Sequence, residues 1–317
     1  MKRLTTTVFL LVCICGLAQA REPGHYAPGA AYLRDFAVPP QSGFYYEQYN
    51  VYYWADNFKD RNGDSVSELT IGSTTVKFDA DVDSWSITPT FMWVTEKKIL
   101  GGDYALYVSP TIASNDVSAN LSAINRGIDF DTDNTGLWDL YVQPLWLGWR
   151  DKRYDLSFGM GLYLPIGEYE SDASNSIGLG FMTLLTQAAG YLYLDQQQAS
   201  ALALIATYEI HSQKLGTDIT PGDHFTLEYG FSQYFSQRLE VSISGFSQWQ
   251  VEGDKGNDIL LDGSVKTEVH GIGGQISYSF TPRFNMALRY MIEYNAKARF
   301  EGQFIALNFF FTPKPMF

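Results

Sequence analysis

The sequence predicts an all-β protein, a transmembrane antiparallel β-barrel of about twelve strands. Three observations carry that reading. Segments of roughly ten residues place apolar side chains at every second position, the repeat a strand needs when one face meets lipid and the other a lumen. The links between these segments alternate short and long, as in barrels with tight periplasmic turns and larger outer loops. The chain is also 15% aromatic, yet past its start it holds no apolar run of the roughly 18 residues a membrane helix requires. Helices and closed barrels are the structures that satisfy their own backbone in lipid, so a membrane-bound chain without such a helix is a barrel.

The N-terminus reads as an export leader. Met1, Lys2 and Arg3 precede an apolar stretch from Leu4 to Gly16, and Ala18-Gln19-Ala20 forms an A-x-A exit. A signal peptide is therefore expected over 1–20, cleaved after Ala20. Cys13 and Cys15 are the two cysteines and both lie inside it, so the mature chain is expected to have no disulfide, thiolate nucleophile or cysteine–zinc site. Loss of Lys2 and Arg3 leaves 20 of the 22 basic residues against 35 acidic ones, moving the net charge from −13 to −15. Such acidity excludes nucleic-acid binding by phosphate neutralisation.

Residues 21–42 form a second unit. Pro23, Pro28, Pro39 and Pro40 hold this stretch extended and no strand pattern runs through it, so it is expected on the periplasmic side or in the lumen as a small plug. The barrel occupies 43–317.

Four strands are plain. Over 84–93, Trp85, Ile87, Pro89, Phe91 and Trp93 share one face. Over 154–167, Leu156, Phe158, Met160, Leu162, Leu164 and Ile166 point out, with Asp155, Ser157, Gly159, Gly161, Tyr163 and Pro165 inward. Leu239, Val241 and Ile243 alternate with Glu240, Ser242 and Ser244 in 239–250. In 270–280, Ile272, Ile276, Tyr278 and Phe280 oppose Gly271, Gly273, Gln275, Ser277 and Ser279. The segments 44–55, 103–113, 138–149, 180–193, 201–211, 223–235, 285–294 and 303–311 follow the rule with more exceptions. Short links fall at 96–102, 150–153, 195–200, 236–238 and 281–283; longer ones rich in Asp, Asn and Gly fall at 56–82, 114–137, 168–179, 212–222, 252–269 and 295–302. A soluble β-sandwich also alternates, but it does not need this asymmetry of links. Tyr53, Trp54, Trp93, Tyr104, Trp146 and Trp249 near strand ends are candidates for interfacial girdles, and Phe317, after Phe309, Phe310 and Phe311, is an aromatic terminus of the kind the barrel-assembly machinery receives.

Several blocks carry a family resemblance. His25-Tyr26-Ala27-Pro28-Gly29-Ala30, Leu33-Arg34-Asp35-Phe36-Ala37-Val38-Pro39-Pro40 and Gly43-Phe44-Tyr45 come first. Val94 to Gly102, Tyr163 to Tyr169 and Arg289 to Tyr294 follow. Together they resemble the meta-pathway phenol-degradation family, exported proteins with an outer-membrane barrel linked to aromatic-compound catabolism. The likeness spans nearly the whole mature chain and departs at Ile166, where a Thr is expected. It implies uptake of small hydrophobic or aromatic compounds.

Catalytic and metal motifs are sparse. His25, His211, His224 and His270 fit neither HExxH nor another metal spacing, and no Gly-x-Ser-x-Gly elbow occurs. A rim hydrolase pairing His211-Ser212 with His224 is sterically possible. Asp60-x-Asn62-x-Asp64 opens like a calcium loop, but Ser65 stands where Gly is needed and Ile71 where Glu is needed. Asp129, Asp131 and Asp133, with Glu252 and Asp254, give acidic outer loops that either stay solvated or bridge through divalent cations to lipopolysaccharide. The lumen-lining candidates are Tyr107, Asp139, Tyr141, Gln143, Asp155, Tyr163, Glu209, His211, Glu228, Glu240, Gln275, Arg289 and Glu293, with Gln248 beside them. Their acidity disfavours anionic solutes and tolerates neutral, aromatic or cationic ones. Arg289 and Glu293 lie four apart on one strand, about 13 Å, so each needs partners on neighbouring strands. The sequence thus points to an outer-membrane channel for passive uptake of small hydrophobic or aromatic compounds, without catalytic residues, cofactor or metal, in contact with outer-membrane lipid and lipopolysaccharide. The alternatives are a structural or adhesive barrel with a closed lumen and, further off, the rim hydrolase.

Overall fold

The computed structural model describes residues 23–71, 74–123, 126–171, 173, 176–259 and 262–313, so the expected leader over 1–20 and Phe317 lie outside the described residues. Fifteen strands follow in order: β1 (Gly43–Lys59), β2 (Glu68–Ile71), β3 (Thr74–Ile99), β4 (Gly102–Ser109), β5 (Ile112–Ala123), β6 (Arg126–Leu137), β7 (Leu140–Arg150), β8 (Tyr154–Leu164), β9 (Thr183–Tyr193), β10 (Ser200–His211), β11 (His224–Tyr234), β12 (Leu239–Gln250), β13 (Glu268–Thr281), β14 (Phe284–Lys297) and β15 (Arg299–Phe311). Because β1 pairs antiparallel with both β15 and β3, the sheet closes into a ring of 12 strands. The ring leaves out β2, β5 and β6 and has no free edge, the condition for β-structure in lipid.

Polarity is inverted relative to a water-soluble barrel. Phe91, Leu156, Leu204, Ile243, Ile272, Ile276 and Ile292 stand exposed on the outer wall, while Glu209, Glu228, Glu240, Gln275 and Arg289 are buried inside. Lipid supplies the environment that makes this arrangement favourable. Tyr278, Phe280, Phe284 and Phe311 contact one another at the short-turn end, as an interfacial aromatic band would. Two girdle candidates turn inward instead. Trp146 is buried and packs on Tyr107, and the Tyr53 hydroxyl reaches Glu293 at 3.0 Å.

The tight turns sit at one end. Leu100 and Gly101 join β3 to β4 with φ of 51° and 79°, the doubly left-handed pair a two-residue hairpin needs. Open space surrounds the position a Cβ would take at Gly101, so conformation alone favours glycine there. The opposite end departs from expectation at three links. Those at 56–82 and 114–137 are strand over much of their length: β3 runs 26 residues, far beyond the roughly ten that span a bilayer, and continues past the ring on β2, β5 and β6. The expected link 295–302 is a tight hairpin in which only Ala298, at φ 52°, separates β14 from β15. The eighth strand also stops at Leu164, short of the expected 167.

Candidate functional site in the barrel interior

Residues 23–42 run inside the ring from the long-loop end at His25 to the short-turn end, where the chain enters β1. The lumen meets this segment with chemistry suited to each of its parts. Where the segment shows backbone, the wall shows charge. The Glu228 carboxylate accepts from the Gly29 N–H at 2.8 Å and the Tyr26 hydroxyl at 3.0 Å, and Glu209 accepts from the Tyr26 N–H at 2.9 Å. Arg289 donates to the carbonyls of Gly29, at 2.7 Å, and Ala31. Tyr191 donates to Leu33 O at 2.8 Å, Ser157 to Phe36 O and Arg150 to Val38 O. Where the segment shows apolar side chains, the wall shows small or apolar ones. Leu33 and Phe36 pack on Ala189, Ala201, Ala203 and Ile205, and Val38 packs on Met92, Ala105 and Trp146. Arg34 Nε of the segment lies 3.0 Å from Glu240, and His25 Nε2 shares a hydrogen bond with Asp139 at 3.0 Å. Burial holds the His25 imidazole below its ordinary range against the pull of Asp139, so the ring is neutral near pH 7.

Among the lumen-lining candidates, all but Tyr107 and Tyr163 are buried. Tyr107 and Tyr141 both donate to Gln143 Oε1, at 2.9 and 2.5 Å, and Tyr163 stacks on His25 with ring centroids 4.5 Å apart. Asp139 lies between β6 and β7 and accepts from the N–H groups of Gly167 and Leu179, both at 2.9 Å. Asp155 accepts from the Tyr193 hydroxyl at 2.7 Å. Glu293 meets Arg299 of β15 at 3.2 Å, whereas Arg289 finds its hydrogen-bond acceptors on the N-terminal segment rather than on a neighbouring strand. The acids of the wall are thus largely matched, Glu209, Glu228 and Glu240 to donors of the segment and Asp155 and Glu293 to donors of the wall itself, and do not present an open acidic bore.

The His211-Ser212 pairing with His224 does not form as a hydroxyl–imidazole pair. Ser212 donates to Gln213 O at 3.2 Å and accepts from Met182 N–H at 2.9 Å, while His211 faces Thr183 and His224. In the Asp60 loop, Asp60 accepts from the N–H groups of Asn62 and Asp64 at 2.7 and 2.9 Å, capping its own turn. Asp254 serves similarly for Gly222 N–H and Gln250, at 2.9 and 2.6 Å, and Glu252 pairs with Lys255. Residues missed in the sequence include Glu47, Thr183 and Asn308, each buried on the inner face. Strand alternation was the available signal, since Thr183 shares parity with the inward-facing Gln187.

One stretch of wall is irregular. On β7 an extra residue interrupts both ladders, Pro144 and Leu145 standing opposite Leu106 of β4 and Gln143 and Pro144 opposite Gly161 of β8, so the pairings with β4 and with β8 both slip there. Proline has no N–H for the ladder, and the Pro144 carbonyl accepts from the Tyr104 side chain at 2.8 Å. An apolar pocket of about 640 Å³ adjoins this bulge, lined by Phe44, Phe91, Trp93, Leu106 and Pro144 of the outer face together with Met92 and Tyr107 of the inner face.

The family model described as "Putative MetA-pathway of phenol degradation" matches residues 55–309. No curated protein matches the chain. Among solved structures, an outer membrane channel from Pseudomonas putida F1 is similar over 90% of this chain and 99% of its own, at 15% identity and a TM-score of 0.68. The transport unit of the autotransporter AIDA-I from Escherichia coli (10% identity, 95% and 97% covered) and a Pseudomonas aeruginosa FadL homologue (9%, 84% and 90%) are looser likenesses, with TM-scores of 0.47 and 0.40. At these identities the likeness bears on fold.

Proposed function

The chain belongs to that phenol-degradation family, and from this premise we propose that it is an outer-membrane channel through which small hydrophobic or aromatic compounds pass without covalent chemistry. The observation that carries the reading is the pairing of a filled lumen with an apolar pocket at the β7 bulge. A polar solute gains nothing from a bore whose acids are already largely matched to the 23–42 segment and to neighbouring strands. An aromatic solute dissolved in the lipid meets Phe44, Phe91 and Trp93 at the one place where the ladders on both sides of β7 slip. Its route is sideways through the wall, with the N-terminal segment shifting on its far side. Contact with outer-membrane lipid and lipopolysaccharide, and recognition of the Phe317 end during assembly, belong to the same reading.

The filled lumen also supports a second reading, a closed structural barrel. Reconstitution in liposomes separates the two, with ion conductance and phenol uptake measured on one preparation. The channel reading expects phenol uptake above protein-free liposomes with low conductance, and a rise in conductance when residues 22–40 are deleted. Phenol uptake equal to that of protein-free liposomes, from both the full chain and the deletion, leaves the structural barrel standing.

A further inference from the structure

Three side chains converge at the long-loop end of the lumen, and the bond from the Tyr26 N–H to Glu209 engages only part of what they offer. Glu209 of β10 and His224 of β11 are direct partners across the ladder, and His211 lies two residues beyond Glu209 on the same inward face. His211 Nε2 and His224 Nδ1 are 3.1 Å apart, and one ligand atom from each of the three residues lies within 4.8 Å of the others. All three side chains are buried. A ring proton shared between the two imidazoles accounts for the nitrogen pair alone. It leaves Glu209 Oε2 buried without a hydrogen-bond partner, while Oε1 is held by the Tyr26 N–H. A buried carboxylate oxygen with nothing to accept from is costly unless a proton or a cation completes it, and two imidazole nitrogens beside it favour the cation.

We propose that Glu209, His211 and His224 bind one divalent cation of the zinc class. Two bonds of about 2.0–2.1 Å to nitrogens 3.1 Å apart enclose an angle of about 100°, close to tetrahedral. A Glu209 carboxylate oxygen within 4.8 Å of both nitrogens joins them by a side-chain movement of about 1–1.5 Å. Imidazole donors exclude calcium and magnesium, which take six or more oxygens or keep their waters. The surroundings orient the ligands as a metal site requires. Thr183 Oγ1 sits 2.7 Å from His211 Nδ1 and 2.7 Å from His25 Nδ1, and His25 Nε2 sits 3.0 Å from Asp139. With the proton of His211 on Nδ1, donated to Thr183, its Nε2 lone pair faces the site. The site joins two neighbouring strands to the N-terminal segment that lies over them, and it stands independently of the solute reading.

The test uses the untagged chain folded in detergent, stripped with chelator, dialysed against Zn²⁺, freed of loose ion by gel filtration and assayed for metal. About one zinc per chain is expected, retained by His270→Ala, whose ring lies elsewhere beside Ser247 and Glu268. Glu209→Gln and the double variant His211→Ala/His224→Ala are expected to lose it. Thr183→Val is expected to keep the stoichiometry with affinity about 10–100-fold weaker. Co²⁺ in place of zinc should give the visible absorption of a four-coordinate ion. Folding of each variant is checked by its heat-dependent mobility on a gel. A wild-type chain that elutes without zinc overturns the proposal, as does a folded double variant or a folded Glu209→Gln that binds it as tightly as wild type.

Discussion

Arg289 offers the sharpest perturbation of the N-terminal segment. The side chain is 2% exposed, donates to the carbonyls of Gly29 and Ala31, and lies with its guanidinium 5.6 Å from the Tyr32 ring centre. In Arg289→Met the stem volume is kept and the donors vanish, leaving two buried carbonyls of the segment unpaired. Hydrogen bonds from a charged donor contribute about 1.5–3 kcal/mol each, so docking weakens by about 3 kcal/mol at the low end. That is a shift of about 100-fold in the ratio of docked to released segment. Arg34 is the sole trypsin site in 23–42 and is itself held by Glu240 and Ser232. Where release is fast relative to cleavage, trypsin cutting after Arg34 reports the released population directly. The variant should be cut about 100-fold faster than wild type while its barrel stays heat-modifiable, and its conductance should rise. Equal cutting rates and equal conductance in a folded variant would show that Arg289 does not hold the segment.

Further expectations follow from the wall and from the segment's own acid. Deleting Pro144 leaves one residue of β7 opposite one on each side, which makes both ladders continuous and adds backbone hydrogen bonds of about 0.5–1.5 kcal/mol each; phenol uptake should fall while folding in detergent is at least as stable, and unchanged uptake would move the path elsewhere. Ile243 is 57% exposed on the outer wall, so Ile243→Arg should cost about 2–4 kcal/mol for folding into bilayers, whereas the same change on a water-facing wall costs close to nothing. Asp35 is half-buried in the segment beside Glu47, Tyr49 and Arg289, and desolvation pushes its carboxyl above the ordinary 3.8. The docked segment then keeps a proton that the released one has lost, so this contribution to docking is full below about 3.8 and is lost as pH rises through the docked value. A spin label on Ala27→Cys should gain mobility across that window in wild type and less so in Asp35→Asn.

How much of this was legible differs between elements for physical reasons. The outer wall could be read because lipid enforces period two: Trp85, Ile87, Phe91 and Trp93 alternate with polar residues over one strand, a local signal needing no knowledge of neighbours. The extensions 74–83 and 112–137 escaped although Val76, Phe78, Ala80 and Val82 alternate with Lys77, Asp79, Asp81 and Asp83, because a stretch so rich in Asp and Asn reads as an outer loop; the pairing of β5 with β3 and β6 makes it a sheet. Tyr53 and Trp146 were misplaced because an aromatic near a strand end fits an interface and a packed interior equally well. The convergence of Glu209, His211 and His224 was invisible as a motif, since the 12 intervening residues between the histidines, 212–223, match no metal spacing; the ladder between β10 and β11 brings them together.

The all-β ring, its count of about twelve strands and the lipid-facing residues of its most regular strands follow from the order of amino acids alone, because these depend on a two-residue repeat and on the chemistry of each side chain. What fills the ring follows from the closed fold. Residues 23–42 have no repeat, and their internal hydrogen bonds close single turns, such as Asp35 N–H to Tyr32 O and Tyr32 N–H to the Asp35 carboxylate. Their conformation is set by carboxylates, an arginine and small side chains from strands scattered between Met92 and Arg289, which become neighbours once the barrel has closed.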